Sequence, residues 1–564
     1  MFEVVLNPGF VPILAGLIVL AAPRIVRGPI MAIAALAALW LLLENDFGAA
    51  ATMRQMGVET VPLDLDALNR IFGIAMLILL IAMAIYAGAR RNRYEDAAIL
   101  MLAGGAVSAL FVGDLVSLVA AVALSGLAAA WIVFASPLEG ARFAGVRLLI
   151  WHGLEGLLFL IGVALHLTAT AGNSKFVRLD AGSISGACMF AALLLRIGAP
   201  FAHVWLKDVI SHASAAGGAA LSAFSTMLGV YALARLFPAE PVLAPIGAAM
   251  IVVGLVFAAI TDDLRRAGAY ALTAQTGICV ALIGEGSPLS LAAAEGHAFA
   301  TLLAFAALQM TLGAMLERAG VRRVSELTGV ARAMPITSFL HFAAALACAA
   351  TPGFALYATQ AVALEATAHW EQRWLWLLIA LTSAVLFVVL ALRPTLAAHR
   401  AAPPRPFHEA PFPMMLGSAL ATFLCFTIGL APNWLYALMP TALAFQPYEI
   451  ERLAPQLAML GAAGLAYLAL RGVGLAPASL PARTLDVDAF YRGPVASAGQ
   501  WAGVLLLRAY GAWQAAVTRA GYAAGRTLDR LSRLWDRPFA PVRMTAATQF
   551  LVIGAFLLTI LLFR

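Results

Sequence analysis

The sequence predicts an all-α polytopic membrane protein, and three observations carry that prediction. Of 564 residues, 63% are hydrophobic and only 12% are charged, against about 25% charged in soluble domains. Mean hydropathy is +0.91, and apolar runs approaching the roughly 20 residues needed to cross hydrocarbon recur along most of the chain. The arginines gather at the ends of those runs, where basic juxtamembrane loops belong. Backbone polar groups in lipid must be paired within the protein, so runs of this length form helices and not barrel strands.

Read in order, the apolar runs fall near residues 9–23, 29–43, 70–88, 97–112, 114–135, 147–168, 185–206, 215–237 and 242–261. Further runs lie near 267–284, 293–316, 335–350, 353–367, 373–393, 412–432, 454–471 and 547–563. Some of the short ones read as halves of broken helices. The start Val11–Ala22 has no basic stretch before it and continues as a span, so no cleavable signal is expected. Arg24 and Arg27 follow the first span, and Arg90, Arg91 and Arg93 follow the third, which puts those loops inside. Glu44–Asp66 carries five acids against one arginine and fits the outside, so the N-terminus is expected outside, in the inner membrane of a bacterium.

The tail differs from the rest. Ala401–Pro413 is Pro-rich and Gly474–Pro494 contains no span. Gln500–Asp536 reads as an amphipathic helix with Trp501, Leu505, Leu506, Tyr510, Trp513, Val517, Leu528, Leu531, Leu534 and Trp535 on or near one face. Arg508, Arg519, Arg526, Arg530 and Arg533 punctuate the other. Such a helix lies along the interface or along neighbouring helices. A final span near 546–563 returns the chain to the bilayer.

The net charge of +7 follows from arginines at segment ends and implies no nucleic acid. Cys188, Cys279, Cys348 and Cys425 are scattered singly, without metal-ligand spacing, and read as buried small hydrophobes. No cofactor motif is present, so redox chemistry would belong to partners. Of the 36 basic residues only two, Lys175 and Lys207, are lysines.

Ionisable side chains within spans are costly and are candidates for function. They are Asp114, His152, Glu155, Arg196, His203, Glu295, His297, His341 and Glu365. Asp114 follows Gly113 at a short break and fits a solvated helix start as well as a site. His152 and Glu155, three apart on one helix, are neighbours that fit either a shared proton or a structural pair. Pro200, four residues after Arg196, removes a helix hydrogen bond and predicts a discontinuous helix with a cation at the break. The competing reading is an arginine that snorkels to the interface. Lys207–His212 reads as a polar connection into the next span.

The runs RIGAPFAHVWLKD (Arg196–Asp208) and LSAFSTMLGVYALARLFP (Leu221–Pro238) closely resemble the antiporter-like subunits of Mrp sodium/proton antiporters, relatives of the proton-channel subunits of respiratory complex I. DDLRRAGAYALTAQTG (Asp262–Gly277), EGHAFATLLAF (Glu295–Phe305) and TPGFALYATQAVALEA (Thr351–Ala366) agree in order. LDVDAFYRG (Leu485–Gly493) is similar to the tail signature of the D-subunit branch. The resemblance covers roughly residues 70–493. It implies about 14 core helices in two inverted repeats, each with a broken helix, and a mid-membrane row of buried charges. It also implies other membrane subunits as partners, and H+ or Na+ as the transported ion. The expected organisation is N-terminal helices 1–112, an antiporter-like core 113–393, C-terminal core helices 394–472, a linker 473–499, the amphipathic helix 500–540 and a last span 546–563.

Carried onto this sequence, most of the family's charged row is missing. Its glutamate falls on Ala123, its broken-helix lysine becomes Arg196, and the lysine before the GVY stretch becomes Met227. His297 is kept, but downstream polar positions become Thr301 and Phe305, a further lysine becomes Gln360, and a last one falls on Leu392. By this correspondence every buried lysine is gone. A proton carrier needs two protonation states close in free energy; burial brings lysine into that range, whereas arginine stays protonated. The expectation is a degenerate antiporter-like subunit with a structural or coupling role. Two alternatives stand: an active proton or sodium translocator with a rewired path through Glu155, His203, His297 and Glu365, or a subunit of an inorganic-carbon or anion-linked complex in which Arg196 faces an anion.

Overall fold

The computed structural model describes residues 6–48, 50–55, 58–89, 92–368, 372–400, 408–441, 443–475 and 491–535. The chain divides into two compact units, Met1–Asp486 and Val487–Arg564.

In the first unit the apolar runs become helices in chain order. They begin with α1 (Phe10–Ala21), α2 (Arg24–Glu44), α3 (Ala67–Tyr86), α4 (Arg93–Phe111), α5 (Leu115–Phe134) and α6 (Ala141–Ala169). A broken pair, α7 (Ile184–Ile197) and α8 (Val204–His212), follows. Next come α9 (Ala215–Ala220), continued through a π-turn into α10 (Thr226–Leu236), then α11 (Leu243–Ile260), α12 (Leu264–Glu285), α13 (Pro288–Ala319) and the single turn α14 (Val330–Ala333). A second broken pair is α15 (Pro335–Cys348) and α16 (Ala355–Ala366). The unit ends with α17 (Arg373–Leu386), a π-turn into α18 (Arg393–Ala398), α19 (Phe412–Leu430), α20 (Asn433–Leu438) and α21 (Ile450–Gly472). Among the described residues twelve helices are long and apolar enough to cross a membrane. The short α1 and the two broken pairs supply further spanning segments.

The two inverted repeats are visible in the capping geometry. Asp114 caps α5 by accepting from Ser117 N at 2.8 Å, and Asp263 caps α12 by accepting from Arg265 N and Arg266 N at 3.0 Å each. Each aspartate also pairs its backbone with a distant strand-like residue, Asp114 with Lys175 and Asp263 with Arg323. Thus α4–α8 corresponds to α11–α16, with one crossing, α9–α10, between them. An odd number of crossings from α4 to α11 turns the second repeat upside down. Arg235–Asp66 and Lys175–Glu59 pair at one end of the helices, while Arg147–Asp208 and Arg393–Asp262 pair at the other.

One element departs from expectation. The acidic loop between α2 and α3 forms an antiparallel hairpin, β1 (Ala50–Gln55) and β2 (Val58–Asp64). Alternate residues Val61, Leu63 and Leu65 are buried, as a half-covered strand requires.

The second unit is described by one helix, α22 (Ala496–Trp535), which spans the expected amphipathic segment. At roughly 100° per residue, Leu506, Tyr510, Trp513, Val517 and Leu528 share a face, and Arg508, Arg519, Arg526 and Arg530 share the opposite one. Trp501, assigned from sequence to the apolar stripe, falls with the arginines. The expected final span and most of the LDVDAFYRG stretch lie outside the described residues.

Candidate functional site

The first break lies where Pro200 predicts it. Gly198 closes α7 at φ +69° and Phe201 adopts φ +73°, a left-handed conformation that a non-glycine residue holds at some cost. Ending a helix in apolar surroundings leaves carbonyls unpaired. Trp205 reaches back across the break, and its indole N–H donates to the Leu195 carbonyl at 2.9 Å.

Arg196, in the last turn of α7, is 1% exposed and meets three protein acceptors. Its Nε donates to Glu155 Oε1 at 2.6 Å, Nη1 to Ser125 Oγ at 3.1 Å and Nη2 to the Val122 carbonyl at 3.1 Å. The other carboxylate oxygen of Glu155 lies 2.6 Å from His152 Nδ1. A carboxylate only accepts, so Nδ1 carries the hydrogen. The His152 ring packs against Trp205 at 5.4 Å between centroids. One network therefore ties α5, α6, α7 and α8 together. Gly229 on α10 makes room for it, because a Cβ there would stand 2.7 Å from Arg196 Cγ.

The second break carries Ala350 at φ +50° and Gly353 at φ +98°. Amides, with no charge, satisfy its carbonyls: Gln275 Nε2 donates to Cys348 O at 2.9 Å and Gln456 Nε2 to Ala350 O at 3.1 Å. Because the Gln275 nitrogen faces a carbonyl, its oxygen faces His297, whose Nε2–H donates to it at 2.9 Å. His297 Nδ1 lies 3.1 Å from Thr359 Oγ1. Gln360, one residue on, donates to Ser383 Oγ at 2.7 Å and to Ile379 O at 3.2 Å.

The remaining candidates lie apart from these centres. Asp114 is buried rather than solvated, and its second oxygen accepts from Val61 N at 2.7 Å, so it anchors the hairpin to α5. His203 opens α8 with its ring near Phe257 and Tyr270. Glu365 is exposed, 3.3 Å from Arg452, beside a cavity of about 410 Å³ that Gln360 and Gln456 also line. The expected polar connection at Lys207–His212 is instead the helix α8. Lys207 is buried in it, with Nζ 5.9 Å from the centre of the Tyr270 ring, so one buried lysine is present after all.

Among positions matched to lost family charges, Met227, Thr301, Phe305 and Gln360 are buried as expected, and Leu392 is half-buried. Ala123 is exposed, while its neighbours Val122 and Ser125 reach Arg196. The carboxylate that meets the broken-helix cation comes from Glu155 on α6, not from α5.

Two inverted repeats of membrane helices, each interrupted at a polar centre, define the architecture of an antiporter-like membrane subunit. The family "NADH:quinone oxidoreductase/Mrp antiporter, TM" matches residues 112–386. Subunit N of the NADH-quinone oxidoreductase of Desulforudis audaxviator is 30% identical over 396 residues, which cover 62% of this chain and 76% of that one. The chain belongs to this NADH:quinone oxidoreductase/Mrp antiporter family. A chain of the Mrp complex from Dietzia sp. has the same fold at TM-score 0.68 and 18% identity, covering 80% of this chain and 98% of that one. A chain of the membrane-bound sulfane sulfur reductase, an archaeal respiratory membrane complex, matches at TM-score 0.70 and 19% identity, covering 98% and 99%.

Proposed function

We propose that this chain is a membrane subunit of a multi-subunit Mrp-like or complex I-like assembly in a bacterial inner membrane, with its N-terminus outside. Residues 113–393 form its antiporter-like core, and it acts there in a structural or coupling role. Protons do not pass through its first half by the lysine route of its relatives. Any redox activity resides in partner subunits.

The observation that carries this reading is the Arg196 cluster. A guanidinium does not release its proton, and this one is held by Glu155, Ser125 and the Val122 carbonyl at once. Moving it would leave a buried carboxylate with His152 as its remaining partner. The same three contacts argue against Arg196 as an anion site, since an anion would have to displace Glu155. The names of the relatives, an oxidoreductase subunit and chains of two membrane complexes, support the assembly.

A second reading, translocation by a rewired path, finds support in the second half alone, where Gln275, His297 and Thr359 form connected polar groups around the break and Gln360 pairs with Ser383 on α17. The test is to purify the tagged chain in mild detergent, identify what accompanies it, and reconstitute that assembly. Co-purifying polytopic subunits are expected, with proton flux indifferent to Glu155→Gln. A chain that purifies alone, or flux abolished by Glu155→Gln in an intact assembly, overturns the proposal.

A further inference from the structure

Near the end of the bundle that bears Arg318, Arg322, Arg323, Arg332 and Arg400, a cavity of about 380 Å³ opens between α13, α15 and α18. Its walls are largely apolar, from Met315, Leu327, Phe339 and Phe342. Two polar atoms of its lining, His341 Nε2 and Ser338 Oγ, are buried without a hydrogen-bond partner among the described residues. An unpaired buried polar atom costs about 1–3 kcal/mol, so such atoms mark places where solvent or a ligand completes the bonding. The volume holds on the order of ten waters at about 30 Å³ each.

The orientation of His341 is fixed by its inner neighbour. Thr311 on α13 donates its hydroxyl hydrogen to Leu308 O at 2.9 Å. Its oxygen is thereby left to accept from His341 Nδ1, 3.3 Å away. The Nδ1–H therefore points into the protein, and the basic lone pair on Nε2 belongs to the atom that lacks a protein partner. An imidazole with its Nδ1–H held inward and its Nε2 toward water is arranged to bind and release a proton on the water side.

We propose that this cavity is a proton-exchange site, in which water reaching it from the side of the arginine-rich loops protonates His341 at Nε2 and takes the proton back from the same atom, while the Nδ1–H stays on Thr311. The step is balanced: the proton that leaves a hydronium in the cavity for Nε2 returns from Nε2 to cavity water. It deepens the second reading above, because α15 is the first half of the broken helix whose end meets Gln275 and His297.

Among the lining residues α13 contributes Thr311's neighbour Met315, α15 contributes Ser338, and α18 contributes Thr395 and His399. Among the described residues no carboxylate, lysine or arginine lines the cavity, and His399 is its other titratable group. The buried polar side chains of α19, which packs on α15, are Ser418, Thr422 and Cys425.

The test is hydrogen–deuterium exchange at histidine C2, read by mass spectrometry on the full chain in its assembly, in lipid nanodiscs and across a pH series. His341 is expected to exchange at least about tenfold faster than His297, with a sigmoidal pH profile, and Ala331→Trp is expected to slow it by a similar factor. Equal rates for His341 and His297 overturn the proposal. So does a His341 rate that rises only when lipid is replaced by detergent, since a lipid chain then fills the cavity. Composition of the purified assembly is scored separately, so loss of partners would count against the subunit reading and not against this site.

Discussion

If the Arg196–Glu155 pair is a fixed internal clamp, breaking it from one side must cost far more than replacing it whole. Both residues are 1% exposed, and the Nε–Oε1 distance is 2.6 Å. Glu155→Leu leaves a guanidinium in a buried centre with Ser125 and a carbonyl as its protein partners, and Arg196→Leu leaves a carboxylate with His152. Each single change is expected to destabilise by about 3–5 kcal/mol, whereas removing both charges is often neutral or nearly so. The double variant is therefore expected within about 2 kcal/mol of the parent, a coupling of at least about 3 kcal/mol. Reversible unfolding in mixed micelles with increasing SDS measures all four corners of the cycle. Were Arg196 instead a hydrated group serving a passing ion, each single change would cost under about 1 kcal/mol and the two would add. That outcome refutes the clamp.

Arg196→Lys keeps a positive charge while supplying a releasable proton; reconstituted assembly is expected to leak protons more than the parent, and unchanged leak would mean that no conducting path meets this residue. Trp205→Phe removes the side-chain donor to Leu195 O, leaving the longer bond from Gly198 N at 3.3 Å, and is expected to lower stability by about 0.5–1.5 kcal/mol, measurable in the same unfolding assay; no change would mean that the backbone bond alone satisfies that carbonyl. Gly229→Val brings a side chain against Arg196 Cγ and Ile197 Cγ2, each 2.7 Å from the added Cβ. It should cost about 1–3 kcal/mol through overpacking. Glu365→Gln breaks only an exposed pair with Arg452 and should change stability by less than about 1 kcal/mol and leave flux unaltered; a large loss of flux would restore Glu365 to the ion path.

The spans, the first break and the lone charges were legible because each is a local property. Pro200 stops a helix wherever it lies in one, and a glutamate or arginine in an apolar run announces itself without neighbours. The sequence brought Glu155 to His152 on one helix, but its partnership with Arg196 depends on how α6 meets α7. What sequence did not carry was helix rotation. A motif match put the lost glutamate at Ala123, but α5 turns Val122 and Ser125 toward Arg196 and Ala123 away. The same blindness hid Lys207, whose burial depends on how α8 meets Tyr270 on α12. The hairpin was missed for another reason: its alternating Val61, Leu63 and Leu65 give a period-two signal too short to register among runs several times longer.

The two breaks solve one problem in different ways, and the difference bears on which half could move ions. Interrupting a helix in the membrane frees carbonyls. In the first half Trp205 pairs one of them, and the neighbouring Arg196 carries a charge that must be matched, so Glu155 on α6 and Ser125 and Val122 on α5 latch two helices to the break. Rearranging it would separate a buried ion pair, at about 3–5 kcal/mol. In the second half Gln275 and Gln456 do the pairing with neutral amides, whose individual bonds contribute about 0.5–1.5 kcal/mol each and can be exchanged for bonds to water. A histidine sits within that network and another lines the nearby cavity. The weaker neutral bonds and these two histidines thus lie together in the second half, while the first half ties its cation to a carboxylate.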